Sequence, residues 1–473
     1  MARPKIRDLV VVLPGIIGSV LQKDGKDLWA LSGSALWKTL VSMGGWLDNL
    51  RLDDPDADDG VKATRLLNDV HIIPGLVKID GYTGLTRMIQ KEFEVIPGSM
   101  ESDAPANYFE FPYDWRRDNR RTALELDRFL KARVGAWREY TNNPEAKAII
   151  LAHSMGGLVS RYFCETLGGW ELTRALITFG TPHRGSPNAV SFLANGFKKL
   201  FVDLGDALRS MPSVYQLLPI YPMIITDDGP VRVAEIEIAG VDPGMARDGL
   251  AFHREIEAAV TANSAQDGYR SQFTTLPVVG TRQPTLQSAR LSGAKLTSSR
   301  ALPPDIDPLL DDGDGTVPRL SAIPIELSNA YRDTFRPERH SSLQNHGGVL
   351  EDIRDRIIHM QTTGLRAIRG PEESRDLGDR PALSVDLDDL YLADEPILVT
   401  ANVINGEEAE IVLTIVELEP GGKTSRHVLD RGDEHFSLDL SGLPPGGYRI
   451  EIGPSLPGPG SPPLVHDVFV VAG

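Results

Sequence analysis

The stretch Ala148-Ile-Ile-Leu-Ala-His-Ser-Met-Gly-Gly157 puts a serine at the end of an apolar run and directly ahead of an amphipathic segment, Leu158 to Cys164. A serine hydroxyl can be presented to a carbonyl when it sits on a tight strand-to-helix turn, and such a turn needs small neighbours to avoid clashes. Ala152 and Gly156 stand two residues before and two after Ser154. The form is A-x-S-x-G instead of G-x-S-x-G, a mild departure because alanine is also small. The pattern predicts a strand, a strained turn at Ser154 and a helix immediately after. The bland alternative is an inert serine in an ordinary turn.

Serine is a weak nucleophile at its own pKa, so an imidazole must take its proton and a carboxylate must orient that imidazole. On this kind of elbow the chain order is serine, acid, histidine. Asp311-Asp-Gly-Asp-Gly-Thr-Val-Pro318 supplies the acid downstream of Ser154. Asp314 is preferred, because Gly-Thr-Val follows it as a turn; Asp312 is the second choice, and a solvated acidic turn is the competing explanation. Arg339-His-Ser-Ser-Leu-Gln-Asn-His346 offers two bases, and spacing alone leaves His340 and His346 open. Transition-state charge on the carbonyl oxygen needs two N–H donors. One is expected from Met155, the residue after the nucleophile, and the other from the early loop Leu13-Pro-Gly-Ile-Ile-Gly-Ser19, with Ile16 the preferred donor.

Other chemistries find no support. Asp54-Pro-Asp-Ala-Asp-Asp-Gly60 begins like a calcium loop, but its glycine falls at the seventh position and Arg65 stands where a glutamate should close the site. The ten histidines contain no H-E-x-x-H pattern, and the single cysteine, Cys164, excludes an intrachain disulfide and a multi-cysteine zinc site. No metal and no cofactor are expected.

Elements must position these residues, and 473 residues suggest one large catalytic domain with a smaller module. Short apolar runs at Leu9 to Leu13, Ala148 to Leu151, Ala175 to Phe179 and Leu276 to Val279 read as buried strands, each ending in a small-residue turn. Helical patterns separate them, which implies a mostly parallel sheet with its site beyond the carboxyl ends of the strands. Residues 182–300 are expected to form a cap, since Leu193, Phe197, Leu200, Phe201, Leu204 and Leu208 fit one helical face. The charged, proline-bearing stretch 366–384 reads as a linker with few contacts crossing it. Beyond it, residues 385–473 alternate strand-like runs with Gly, Pro and Asn turns, as an immunoglobulin-like β-sandwich would. The expected division is a 1–365 α/β-hydrolase domain, the linker, and the sandwich.

With these motifs in order, residues 9–360 resemble the lecithin:cholesterol acyltransferase-like family of α/β hydrolases, which includes acyltransferases and phospholipases. The resemblance rests on Leu13-Pro-Gly-Ile-Ile-Gly-Ser19, Leu28-Trp29, Pro112-Tyr-Asp-Trp-Arg116, the serine elbow, Phe179-Gly-Thr-Pro-His-Arg-Gly185, Gln216-Leu-Leu-Pro219 and Gly313-Asp-Gly-Thr-Val-Pro318. It separates the histidines: the family's base lies about a dozen residues ahead of a Leu-Glu-Asp helix, the spacing of His340 to Leu350-Glu351-Asp352. It implies a lipid acyl-ester substrate, with hydrolysis the default and acyl transfer to an alcohol the nearest rival. The lone cysteine departs from the lid disulfide of secreted members, and the C-terminal module lies outside the shared pattern. A rival of another class is an inactive binding protein that works through that module.

Sixty-six acidic against 49 basic residues give a net charge of -17, which disfavours nucleic acid and anionic membrane surfaces. Transient lipid contact must then rest on apolar area. Leu36, Trp37, Leu40, Val41, Met43, Trp46 and Leu47 suit one helical face, with Trp37 and Trp46 the candidate lipid contacts; packing into the core is the competing reading. No run approaches the roughly 20 apolar residues of a membrane span. Asp8 and Pro14-Gly15 break the pattern of a cleaved signal. A cytoplasmic protein, peripheral to membrane at most, is the expectation, with a protein partner conceivable through the C-terminal module.

Overall fold

Apolar runs of three to seven residues, too short for helices and rich in Val, Ile and Phe, become strands buried on both faces. In a computed structural model of the chain they are β1 (Leu9–Leu13), β2 (Tyr108–Glu110), β3 (Ala148–His153), β4 (Thr173–Phe179) and β5 (Thr274–Gly280), with a two-residue β6 (Phe335–Arg336) at the edge. Their spatial order is β6-β5-β4-β3-β1-β2, and every neighbouring pair is parallel. The structure describes residues 3–29, 50–68, 70–196, 205–327, 334–362, 365, 380–406, 409–418, 421–433, 435–458 and 460–472.

Parallel strands need crossovers, and helices supply them. Between β2 and β3 runs α1 (Asn119–Thr141), started by the Asp118 side chain accepting from the Arg120 N–H and buried along Ala123, Leu126, Leu130, Val134 and Trp137, a spacing of three and four. The short α2 (Met155–Arg161) follows β3 after the single residue Ser154. Further on, α3 (Pro243–Ser264) precedes β5, and α4 (Gly347–Thr362) follows the segment that carries His340.

The cap expected over 182–300 is interrupted. Leu276 to Val279, read from the sequence as a buried strand, lie in β5 between β4 and β6 of the central sheet, so the cap bounds 182–300 enclose a core strand. What precedes and follows β5 includes α3 and a four-stranded sheet of Gly229–Val231, Ile224–Thr226, Ser288–Ser292 and Lys295–Ser299. Of the proposed helical face, Leu193 and Leu208 are buried; Phe197, Leu200, Phe201 and Leu204 lie outside the described residues.

The C-terminal region is all β. Ala382–Asp386, Leu398–Ile404, Phe436–Asp439 and Asp430–Arg431 form one antiparallel sheet. Leu390–Leu392, Val465–Ala472, Gly446–Pro454, Ile411–Glu417 and Thr424–Val428 form a second, antiparallel except where Leu390–Leu392 runs parallel to Val465–Ala472. Both sheets feed one core, with Leu383, Val399 and Phe436 from the first and Leu413, Ile450 and Phe469 from the second. Most of the linker expected at 366–384 lies outside the described residues, and Ala382–Ser384 already belongs to a strand.

The expectation that few contacts cross this boundary is corrected. Val70 and Ile72 share a small apolar cluster with Leu390, Val468, Val470 and Ala472. Lys78 pairs with Asp389 and Asp467 at 3.0 and 2.9 Å, Arg449 pairs with Asp80, and Gln283 bonds both the Leu383 carbonyl and the Val385 N–H. A polar linker says how the chain crosses between two units. It says nothing about how much surface they then bury.

Candidate active site

Ser154 adopts φ 50° and ψ -124° between β3 and α2, a conformation that costs a non-glycine residue free energy and persists only where the surroundings enforce it. Two bonds to β4 and the turn just past it do so: the Ser154 N–H donates to the Phe179 carbonyl at 2.9 Å, and Thr181 Oγ1 donates to the Ser154 carbonyl at 2.9 Å. The elbow expected from Ala152, Ser154 and Gly156 is therefore strained as its small neighbours imply.

Three residues widely separated in the chain converge here. His340 Nε2 lies 3.1 Å from Ser154 Oγ, and His340 Nδ1 lies 2.7 Å from Asp314 Oδ2. The other Asp314 oxygen accepts the N–H groups of Thr316 and Val317 at 2.9 and 2.6 Å, which is why the turn Gly-Thr-Val follows the acid. All three side chains are buried, with Ser154 4%, Asp314 1% and His340 1% exposed. The contact between Asp314 and His340 is tight enough that Gly180, at φ +55°, could carry no side chain: a Cβ there would lie 2.8 Å from both Asp314 Oδ2 and His340 Nδ1.

The alternatives fall elsewhere. Asp312 is part-buried and pairs with Arg319; desolvation outweighs that pair and pushes its carboxyl up to about 6. His346 points its Nε2 toward Glu338 at 3.8 Å, while its Nδ1 accepts the Val349 N–H at the start of α4.

The loop after β1 abuts the serine. A Cβ on Gly15 would come within 2.8 Å of Ser154 Cβ, and the next residue but one, Ile17, holds φ 59°, unusual for a β-branched side chain. Ile16 lies between these two residues and lines the same recess as Ser154, and Met155 follows the serine directly. The Met155 N–H opens α2, so no earlier helical carbonyl can take it. The Pro-Tyr-Asp-Trp-Arg segment braces this loop: Tyr113 donates to the Pro14 carbonyl at 2.9 Å and Trp115 Nε1 to the Ser19 carbonyl at 3.2 Å, while Asp114 grips Arg116 in two bonds.

Two residues at the site escaped sequence reasoning. The Gly15 N–H donates to Tyr82 Oη at 2.7 Å, and Tyr82 lies 3.1 Å from His153 Nδ1. His153 Nε2 lies 3.2 Å from the His340 carbonyl, which can only accept, so that nitrogen carries the proton and Nδ1 receives the Tyr82 hydroxyl. Burial holds the His153 pKa well below the usual histidine range, in keeping with a neutral ring, and pushes the Tyr82 phenol up. This relay ties the loop after β1 to the segment of His340. His153 stood beside Ser154 in the motif without a role; Tyr82 carried no signal.

A small recess opens on Ser154, lined by Ile16, Leu76, Val77, Pro182, Ser186, Ala189, Leu217, Thr316 and Val317. Its walls are mainly apolar. Trp37 and Trp46, proposed to meet lipid, lie outside the described residues. No described helix is long and apolar enough to cross a membrane.

Glu338, His346 and His466 bring three potential metal-ligating atoms within 4.8 Å of one another. Their hydrogen bonds argue for a different use. Glu338 already accepts from the N–H groups of Arg339 and His466 and from His466 Nδ1, and the bond from Val349 to His346 Nδ1 leaves the proton on the nitrogen that would face an ion.

Among known families, residues 75–231 match lecithin:cholesterol acyltransferase. Over this stretch the chain is lecithin:cholesterol acyltransferase-like. The matched segment holds Ser154, Tyr82 and the Pro-Tyr-Asp-Trp-Arg motif but ends before Asp314 and His340, and with the parallel sheet it supports an α/β-hydrolase-like fold. The family supports a lipid ester hydrolase or acyltransferase at that general level. No curated protein matches the sequence. Among solved structures, the lipase BlEst2 of Bacillus licheniformis is similar in its mature form, at 14% identity and a TM-score of 0.34, covering 74% of this chain and 90% of that one. Its propeptide form gives 11% identity and a TM-score of 0.34, covering 99% and 94%. A TM-score of 0.34 is too low to bear on this chain's fold or chemistry.

Proposed function

We propose that the chain is a serine hydrolase of lipid acyl esters. The observation that carries this reading is the continuous contact from Asp314 through His340 to Ser154 on a strained elbow. His340, oriented by Asp314, takes the proton of Ser154 as its Oγ attacks the ester carbonyl. The Ile16 and Met155 N–H groups receive the charge on the carbonyl oxygen. The tetrahedral intermediate collapses to an acyl-enzyme, His340 returns the proton to the leaving alcohol, and water then releases the acid by the same route in reverse.

The recess beside Ser154 supports an acyl chain as the group held. A second reading, acyl transfer to a bound alcohol, is favoured by the lecithin:cholesterol acyltransferase match; it differs only in which hydroxyl meets the acyl-enzyme. We take residues 1–365 as the hydrolase domain and the C-terminal region as an immunoglobulin-like sandwich. The setting is read as cytoplasmic, with Trp37 and Trp46 as transient lipid contacts. Turnover measured across lipid classes, with and without added alcohols and with Ser154→Ala as the blank, tests the reading. Serine-dependent release of fatty acid supports hydrolysis, diversion of the acyl group to the alcohol supports transfer, and release that persists in Ser154→Ala ends both.

A further inference from the structure

Within the run Leu464 to Val471, Asp467 is a carboxylate in an apolar strand, and such a group must find cations or a dense set of donors. It finds both in the hydrolase domain. Asp467 is fully buried, 2.9 Å from Lys78 Nζ and 2.8 Å from Arg339 Nε, and its second oxygen accepts Ser341 Oγ at 3.2 Å. Arg339 and Ser341 are the two neighbours of His340. Arg339 also donates to the Val385 carbonyl at 2.6 Å, so a second strand of the all-β region holds the same side chain. Lys78 sits on the hairpin whose Leu76 and Val77 line the recess beside Ser154.

We propose that Asp467 is a positioning residue of the proposed hydrolytic site and that the all-β region is a working part of it. One buried carboxylate sets two things in register: the loop that holds His340 against Ser154, through Arg339 and Ser341, and the wall of the acyl recess, through Lys78. Residues 334–346 contain little regular structure apart from β6, so the imidazole cannot take its place from a helix or a long strand of its own. Beside Asp314 and His153, it takes its place from a strand more than a hundred residues later. The inference rests on the serine-hydrolase reading.

The test uses the full chain with Asp467→Asn, which keeps the shape and removes the charge. Two quantities are read after folding is verified by circular dichroism: the number of sites titrated by a fluorophosphonate, and the rate of labelling per titrated site. General loss of structure lowers the number. Mispositioning lowers the rate. The expected result is close to one labelled site per chain, with the labelling rate and kcat on a soluble short-chain ester both lower by on the order of 10- to 100-fold and KM little changed. If Asp467→Asn does not fold, Arg339→Met repeats the test, since Lys78 still balances Asp467. Wild-type or higher rates per titrated site in a folded variant overturn the proposal. Fluorophosphonate that labels a residue other than Ser154 in the wild type overturns the hydrolase reading itself, and the two failures are told apart by mapping the labelled peptide.

Discussion

The two sides of the site are held in different ways. Ser154 is fixed by what adjoins it in sequence, the fully buried β3 before it and α2 after it, with the next strand of the sheet taking its backbone bonds. His340 is fixed by what lies far away: Asp314 at its ring, His153 at its carbonyl, and Asp467 on its two neighbours. The proposed nucleophile, whose strained backbone must be exact, is built into the regular core. The proposed base, which must accept and return a proton, sits on an irregular loop whose position is set by buried polar bonds. The first arrangement resists point changes outside the elbow, whereas the second is exposed to the loss of any one partner.

That contrast can be broken at several points. Ser154→Ala is expected to reduce turnover by on the order of 10⁶-fold, the scale of losing a triad nucleophile, with an unchanged melting temperature; residual turnover near the wild-type value would remove the serine side altogether. His340→Ala should cost on the order of 10⁴-fold or more in kcat, whereas His346→Ala should cost far less, since His346 faces Glu338 and the start of α4; kinetics on a soluble ester rank the two, and the reverse ranking would move the base.

Truncation before Ala382 sharpens the contrast. It uncovers Val70 and Ile72 and leaves Lys78 and Arg339 without Asp467, and a buried pair broken on one side costs about 3–5 kcal/mol. The shortened chain is expected to aggregate or to lose most activity, as size-exclusion chromatography and ester turnover would register; a monodisperse, fully active product would show the histidine loop to be self-sufficient. Tyr82→Phe removes the hydroxyl that joins Gly15 to His153, and about a tenfold loss of kcat is expected from the loosened loop after β1, with roughly 1–3 kcal/mol of stability lost through unpaired buried groups. No change in either would show the relay to be idle.

The smallest effect is one of pH. Burial opposes charge on His466, but Glu338 and Glu451 outweigh it and push its pKa up to about 9, with His346 as the neighbouring imidazole. A pKa raised in the folded state stabilises fully below the unfolded value near 6.5 and is lost as pH rises through about 9. His466→Gln should therefore melt about 2–4 °C below the wild type at pH 6, and the gap should close by pH 10. A gap that widens with pH contradicts the pairing of His466 with Glu338 and Glu451.

The serine side was legible because its determinants are contiguous. Apolar β3, small Ala152 and Gly156, and an amphipathic continuation each act on the adjoining backbone, so sequence order and spatial order coincide. The turn that holds Asp314 was legible for the same reason, since the Thr316 and Val317 N–H groups that bond it follow it in the chain. Choosing between His340 and His346 needed a family spacing, because nothing local distinguishes two histidines on one irregular loop. Tyr82 was invisible: it meets Gly15 across 67 residues with no motif to mark it. Cap and linker misled in opposite directions, β5 running through the supposed lid while the polar linker joins two units in close contact. The clue to that contact was present in Asp467, a lone carboxylate in an apolar strand, whose partners only the folded chain supplies.

The most direct measurement is to trap the acyl-enzyme. The wild-type chain is mixed with an excess of a soluble p-nitrophenyl acyl ester, quenched in acid within the first turnovers, and mapped by peptide mass spectrometry. An acyl adduct on the peptide bearing Ser154, absent in Ser154→Ala and accumulating with the burst of p-nitrophenol, is the predicted result. Turnover at the same rate with no adduct on Ser154, or with the adduct on another residue, would contradict it.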